Sequence, residues 1–340
     1  YSTGQCNYGG RVTDDKDRRC LMAILRSYYN ASVLDPNHKI SPSGDWLMPD
    51  DMTWDGYNQF IENLPLQVEP EVFGLHENAN ITKDMGYTNN LFLSILLTQS
   101  SSGGGDEGGK SQEDVTFDVA SMNLQKMPPL FDMELAELKY PIKWDESMNT
   151  VLVQELMRYN KLNTVVVQSL GQTKQAMKGT IVMSEELEAL GNSLFYGRIP
   201  KKWEDNSYPS LKPLAGYVSD LLRRLAFFQD WLDEKPPPVF WFPGLYFSAD
   251  FLTGTLQNFA RRYTVPIDHV EFDFEMLTGS MEEYKDAPGD GCYIYGLFVA
   301  GARWDPHLKA VASSEPKVLF AEAPVMYLNP KEDTNRSAER

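Results

Sequence analysis

The spacing of hydrophobic residues changes along this chain between residues 239 and 277. Before this stretch, apolar residues recur mostly every three or four positions, which is typical of amphipathic helices. After Pro266, apolar and polar residues alternate, which is typical of strands with one buried face. The pattern therefore predicts a mostly helical part and then a mostly β part, with residues 239–277 as the junction between them.

Several helices in the first part carry their own start signals. Thr13 or Asp14, Ser184 and Ser248 are placed to cap helices, because their side-chain oxygens can accept hydrogen bonds from the first turn. Proline ends two of the helices, since it lacks the N–H that a helix needs. Helices are predicted over residues 14–29, 57–64, 145–177, 184–197, 213–235 and from 248 onwards.

The last part of the chain predicts a small number of strands. A Gly-Asp-Gly turn at 289–291 and Pro306 separate them. Two earlier stretches are less specific: residues 70–82 are predicted to be turn-rich, and the apolar run 91–97 is too short to separate helix from strand. Strands are predicted over residues 270–277, 292–300 and 318–328. Together these elements predict an α+β fold.

Composition narrows the class of protein. The chain has 340 residues, of which 42% are hydrophobic, so it can bury real cores and is not disordered throughout. Its net charge of −17 argues against direct binding to nucleic acid or to an anionic membrane surface. Three cysteines, far apart in the sequence, indicate no disulfide framework.

One stretch matches the pattern of a phosphate-binding loop. Residues from Gly104 to Ser111, including Lys110, fit G-x-x-x-x-G-K-[ST]. A phosphate-binding loop needs a strand that leads directly into it and a helix that starts at the Lys-Ser pair. Here residues 98–103 intervene, and the expected helix begins with acidic residues 113–114, which would repel phosphate. The alternatives are a nucleotide-binding site and a Gly/Ser-rich linker.

No other pattern predicts chemistry. The four histidines share no metal-ligand spacing, and no nucleophile signature is present, so we predict no catalytic, cofactor-binding or metal-binding residue in this chain. Arginine pairs at 18–19, 223–224 and 261–262 are predicted to form salt bridges on helix surfaces. The aromatic residues between 240 and 251 are predicted to be a buried anchor. The burial of Trp241 is the main test of this prediction.

Longer strings of residues give a more specific indication. Together these strings resemble dynein heavy chain, in order and over nearly the whole sequence. Some are closer to axonemal than to cytoplasmic versions, and they favour the single-headed inner-arm type. The strings are Gly4-Gln-Cys-Asn-Tyr-Gly-Gly-Arg, Glu71-Val-Phe-Gly-Leu-His-Glu-Asn, Glu146-Ser-Met-Asn-Thr-Val-Leu, Ser207-Tyr-Pro-Ser-Leu-Lys-Pro, Phe251-Leu-Thr-Gly-Thr-Leu-Gln-Asn and Gly291-Cys-Tyr-Ile-Tyr-Gly-Leu-Phe.

The resemblance implies the C-terminal end of a heavy chain, a piece of a longer polypeptide. Its parts are expected to be the end of the large subdomain of the sixth AAA+ module and the start of its lid (1–70), the lid with connecting helices (71–200), a helical part (201–264) and an antiparallel β-barrel (265–340). The stretch from Gly104 to Ser111 then falls in a variable, flexible loop over 99–112. Because the sequence ends at Arg340, before the family's last strands, an incomplete barrel with an exposed sheet edge is expected.

The resemblance also implies a role. ATP and Mg²⁺ are expected only in upstream modules, so this segment would be a non-catalytic brace that tunes minus-end-directed motility on microtubules. Its partners would be the rest of the AAA+ ring, accessory dynein chains, and microtubules only through a stalk that is absent here. The expected location is the cytoskeleton, in the axoneme of a cilium or flagellum. An independent nucleotide-binding protein and a docking platform for accessory chains are the alternatives.

Overall fold

A computed structural model describes residues 1–35, 38–41, 44, 49–50, 52–64, 71, 76–101 and 111–332. The fold is mixed α+β, as predicted. Its helices are α1 (Asp15–Tyr28), α2 (Trp54–Glu62), α3 (Asn78–Ser101), α4 (Gln112–Lys126), α5 (Met133–Lys139), α6 (Ser147–Met177), α7 (Glu185–Phe195), α8 (Lys201–Glu204), α9 (Leu214–Asp233) and α10 (Ser248–Tyr263). Its strands are β1 (Val239–Trp241), β2 (Val270–Met276), β3 (Cys292–Tyr295), β4 (Phe298–Ala300), β5 (Ala302–Asp305), β6 (Ala310–Ser313), β7 (Phe320–Glu322) and β8 (Met326–Glu332).

The chain divides into two compact units. The first holds residues 1–104, 299–305 and 310–321, and the second holds the remainder. In the first unit, α1 begins as predicted, because the Asp14 carboxylate accepts hydrogen bonds from the N–H groups of Lys16 and Asp17. The predicted helix at 57–64 begins earlier, at Trp54, because the Thr53 hydroxyl accepts a bond from Gly56 and caps it.

The apolar run at 91–97, which was too short to separate helix from strand, lies within α3, a helix of 24 residues. Part of the segment predicted to be turn-rich is also helical, since α3 begins at Asn78; residues 72–75 lie outside the described part. The Asn78 side chain is buried and makes three hydrogen bonds: its amide donates to the carbonyls of Glu315 (2.8 Å) and Val318 (2.9 Å), and its oxygen accepts from the N–H of Lys317 (2.6 Å). One side chain thus holds the 315–318 loop to the start of α3.

We expect Asn78→Ala to release this loop. The substitution leaves three backbone groups without partners, at about 1–3 kcal/mol for each one that stays buried. Hydrogen exchange should show faster exchange at Lys317 and through the hairpin of β5 and β6. Asn90→Ala, on the exposed side of the same helix, is the matched control. Unchanged exchange at Lys317 in Asn78→Ala would contradict this assignment.

The second unit is organised around α6, which runs from Ser147 to Met177 and confirms the helix predicted over 145–177 apart from its first two residues. Its 31 residues span about 46 Å at 1.5 Å per residue. It packs against α4, α5, α7, α8, α9 and α10. The residues of α6 in the main core are Val151, Leu152, Leu156, Tyr159, Leu162, Val166 and Leu170. They recur every three or four positions, which is why the sequence identified this helix.

The strands of the second unit form a four-stranded sheet in the order β1-β3-β8-β2. β8 runs antiparallel to both β2 and β3, whereas β1 runs parallel to β3. α10 packs against β2 and β8. β4 pairs with β7, and β5 pairs with β6, in two further sheets of two strands each.

An incomplete antiparallel barrel was expected; the described strands form three small sheets and no closed barrel, and β1 runs parallel to β3. One reason lies in the predicted strand 292–300, which Gly296 divides into β3 and β4. Gly296 has a φ of 87°, a left-handed conformation that interrupts a strand. The predicted strand 318–328 is likewise divided into β7 and β8, and Pro324, which has no N–H to donate, lies in the gap.

Candidate functional site

The most unusual polar group in the second unit is the carboxylate of Glu155, which lies in the middle of α6. Its side chain is 0% exposed. Its oxygens accept hydrogen bonds from the backbone N–H groups of Tyr246 (2.6 Å) and Phe247 (2.9 Å), at the start of α10. Arg158, one turn further along α6, lies 3.4 Å from Glu155 and 2.9 Å from Asp250. Glu155 therefore fixes the loop that leads into α10.

This contact corrects the predicted role of Ser248. α10 does begin at Ser248, but the N-cap position is Phe247, and no side chain there forms a capping hydrogen bond. The free N–H groups just before the helix are satisfied by a carboxylate from α6. A local serine was expected because sequence reasoning considers only nearby residues.

A second buried group connects α6 with α9. The Tyr159 hydroxyl donates to the carbonyl of Gly244 (2.8 Å) and accepts from Arg224 (3.4 Å). Arg224 donates to Asp220 through Nε (2.7 Å), and its guanidinium lies 3.8 Å from the centre of the Tyr208 ring. We call Glu155, Tyr159, Tyr208, Asp220 and Arg224 the junction cluster.

Burial governs the protonation of these groups. Burial raises the pKa of Tyr159 and of Tyr208 well above the ordinary value, so both hydroxyls stay protonated. Burial also raises the pKa of Glu155, and the bonds from Phe247 and Tyr246 only partly offset it. Burial raises the pKa of the Cys292 thiol to about 12, which leaves it a poor nucleophile.

Asp220 behaves in the opposite way. Burial alone would raise its pKa, but hydrogen bonds from Lys212 (2.6 Å) and Arg224 outweigh burial and lower the pKa below its ordinary value. A carboxylate whose pKa is lower in the folded than in the unfolded protein stabilises the fold at pH values above its unfolded pKa. This stability is lost as the pH falls through its folded pKa. As the pH falls below about 4, we expect the unfolding free energy to decrease less steeply in Asp220→Asn than in the unsubstituted chain. Urea titrations at a series of pH values measure this. Glu137→Gln, at an exposed position, should leave that fall unchanged.

Trp241 lies beside the junction cluster and is buried, as predicted, at 5% exposure. The Arg223 guanidinium lies 4.0 Å from the centre of its ring. Glycine is required at two positions that contact the Trp241 indole. A Cβ at Gly244 would lie 2.5 Å from the indole, and a Cβ at Gly296 would lie 2.7 Å from it. The indole therefore fills a space that the backbone leaves open at these two glycines.

The two arginine pairs of the second unit, at 223–224 and 261–262, have mixed outcomes. Arg224 and Arg262 form the predicted salt bridges, with Asp220 and Asp290 respectively. Arg223 instead covers the Trp241 ring, and Arg261 donates to the hydroxyl of Ser147 (2.8 Å). Within the described part of the chain, salt bridging was therefore the wrong expectation for these two, because their nearest partners are an aromatic ring and neutral oxygens.

The phosphate-loop match lies mostly outside the described residues, which exclude 102–110. Ser111 is described and caps α4: its hydroxyl accepts from the N–H of Asp114 at 3.1 Å. Glu113 and Asp114 occupy the first turn of α4, where they already use the positive end of the helix dipole. Among the described residues, no cluster of three or more His, Cys, Asp or Glu side chains could hold a metal ion, and no helix could span a membrane.

Comparison with known protein families shows which family the chain belongs to. Residues 86–340 match the family model of the C-terminal domain of the dynein heavy chain, and residues 1–79 match that of the AAA lid domain of the same protein. The chain belongs to the dynein heavy chain family. It thus contains a dynein lid and a dynein C-terminal domain, and the junction cluster lies in the latter.

Individual dyneins are similar over almost the whole chain. It is 48% identical to mouse "Dynein axonemal heavy chain 3" over 335 residues, 98% of this chain. It is also 48% identical to rat "Dynein axonemal heavy chain 1" and 46% identical to mouse "Dynein axonemal heavy chain 12", in each case over 97% of this chain. The chain spans 8%, 7% and 11% of these three dyneins.

Sequence reasoning missed Glu155, although a signal was present. Glu155 lies four residues after Val151 and four before Tyr159, so it falls on the buried face of α6. A carboxylate at such a position must have partners, because burying an unpaired charge is very unfavourable. In this dynein segment the partners are the two N–H groups before α10.

Proposed function

We propose that this segment is a non-catalytic brace of a dynein AAA+ ring, and that it tunes ATP-driven, minus-end-directed movement along microtubules in cilia or flagella. The supporting observation is α6, a helix of 31 residues that packs against six other helices and is fixed to the α10 loop by Glu155. A long helix held at several points can transmit displacement without bending.

The family supports the proposed setting of this brace. The relatives are axonemal heavy chains, and the AAA lid supports association with the AAA+ ring of the same heavy chain. ATP and Mg²⁺ would bind in other modules of that protein, and microtubules would be bound by a stalk elsewhere in it. Accessory dynein chains are further candidate partners.

The test uses a full-length axonemal heavy chain with Glu155→Ala, in the numbering of this chain. If the segment is a brace, basal ATP turnover should persist while microtubule gliding per ATP consumed falls about fivefold or more, as for a coupling free energy of about 1 kcal/mol or more. Glu137→Ala, on the exposed face of α5, is the matched control and should leave gliding unchanged.

Two results would reject the proposal. Unchanged gliding in Glu155→Ala, with the local fold shown to be altered, would mean that this region does not affect motility. ATP hydrolysis by the isolated 340-residue chain, abolished by Lys110→Ala, would favour the nucleotide-binding alternative.

A further inference from the structure

The start of α3 connects two parts of the chain that match different family models. Asn78 lies in the range 1–79, which matches the AAA lid domain, and the turn at 315–318 lies in the range that matches the C-terminal domain. Both belong to the first compact unit. The three hydrogen bonds of Asn78 therefore attach a turn of the C-terminal domain to the lid.

The 315–318 turn has a strained backbone. The N–H of Val318 donates to the carbonyl of Glu315 at 3.1 Å, which closes a turn of four residues with Pro316 in its second position. Lys317, in the third position, has a φ of 67°, a left-handed conformation that favours glycine over a residue with a Cβ. Such a conformation persists only where the surrounding structure holds it.

The Asn78 side chain holds this turn through its backbone. Its amide donates to the carbonyls at both ends of the turn, and its oxygen accepts from the N–H of Lys317, the strained residue. An amide suits this pattern because it offers donors and an acceptor together, whereas a carboxylate offers no donor. Asn78 is only 7% exposed, so water does not readily replace these bonds.

Other interactions that could hold the turn are weak. Among the described residues of the first unit, no hydrophobic side chain is buried, so no apolar core supports the turn there. The Arg303 guanidinium lies 3.8 Å from the carboxylate of Glu315, but the Glu315 side chain is exposed, and exposed ion pairs contribute little. The conformation of the turn therefore depends chiefly on Asn78.

We propose that Asn78 and the 315–318 turn form a latch that holds the C-terminal domain to the AAA lid, and that the effect of this segment on motility passes through the latch. The latch has two states: in one the turn is held with Lys317 at positive φ, and in the other it is released and Lys317 relaxes. Coupling between distant sites needs such a two-state element. This inference rests on the proposed brace, and it names the attachment at which the brace is released.

The test uses a full-length axonemal heavy chain, in the numbering of this chain. In Asn78→Ala we expect faster hydrogen exchange at Lys317, and microtubule gliding per ATP consumed should fall about fivefold or more while basal ATP turnover persists. Asn90→Ala, at an exposed position of the same helix, is the matched control and should change neither quantity.

Two further variants separate the latch from a general loss of stability. Asn78→Asp keeps the shape and the acceptor but donates to neither carbonyl, so it should release the turn as Asn78→Ala does. Lys317→Gly removes the strain from the turn. Added to Asn78→Ala, it should restore part of the slow exchange in the turn and part of the gliding. A purely structural defect in the lid would not be rescued by this change in the C-terminal domain.

Four outcomes would overturn the latch. Unchanged exchange in the turn of Asn78→Ala would show that Asn78 does not hold it. Equal gliding with and without Lys317→Gly, in the Asn78→Ala background, would show that strain plays no part. A released turn with normal gliding, where Glu155→Ala does lower gliding, would reject the latch and leave the brace intact. Normal gliding in both Asn78→Ala and Glu155→Ala would reject the brace as well.

Discussion

Glu155→Ala is expected to lower the unfolding free energy of the second unit by about 2–6 kcal/mol, since two backbone N–H groups lose a charged acceptor worth about 1–3 kcal/mol each. The loss arises at the contact between α6 and the N–H groups of Tyr246 and Phe247. Urea denaturation followed by circular dichroism measures it. Hydrogen exchange should show the first opening in the loop before α10.

A graded control separates the hydrogen bonds from packing. Glu155→Gln keeps the shape and one acceptor oxygen, so it should lose less stability than Glu155→Ala. Glu137→Ala, on an exposed face, should change the unfolding free energy by no more than about 0.5 kcal/mol. Equal losses for the two variants at position 155 would contradict this ranking, because Gln keeps the volume of Glu and would then retain none of its stabilisation.

Trp241→Ala is expected to cost about 3–5 kcal/mol, as for other buried aromatic side chains. The cavity cannot close easily, because it is bordered by the backbone of Gly244 and Gly296. The ring of Phe227, 6.0 Å away, also loses its edge-to-face neighbour. Thermal melting of the complete chain and urea titration both report this loss.

The matched control is Trp144→Ala in the same unit. The Trp144 indole is 71% exposed, and the Arg261 guanidinium lies 5.0 Å from the centre of its ring. Its removal should cost less than about 1 kcal/mol. If both tryptophan variants melt at the same temperature, the aromatic run at the junction is peripheral, and the core described above is wrongly assigned.

Local signals account for what the sequence predicted well. Asp14 and Ser184 cap the helices that follow them, and the full extent of α6 follows from its repeated apolar residues. The α+β class follows from the change of period after Pro266. These features depend on neighbours within a few residues, so a single sequence contains them.

Distant partners account for what the sequence did not predict. β1 pairs in parallel with β3, and Val239 lies opposite Tyr293, yet nothing local in either strand specifies the other. The junction cluster has the same origin: Glu155 was identifiable as a buried carboxylate, but its acceptor role required the loop before α10. Within the junction cluster, Arg224 and Asp220, four residues apart on α9, could have been paired from their spacing.

The division of the chain has a consequence for its biosynthesis. Residues 299–305 and 310–321 belong to the first unit, although the ribosome makes them after most of the second. The bond from Asn78 to Glu315 spans 237 positions of sequence. The first unit therefore cannot be completed during translation until residues 310–321 have emerged, and the second needs β8 (Met326–Glu332), which follows them. We therefore expect both units to mature only at the end of this stretch, and the early helices to stay open to chaperones in the meantime.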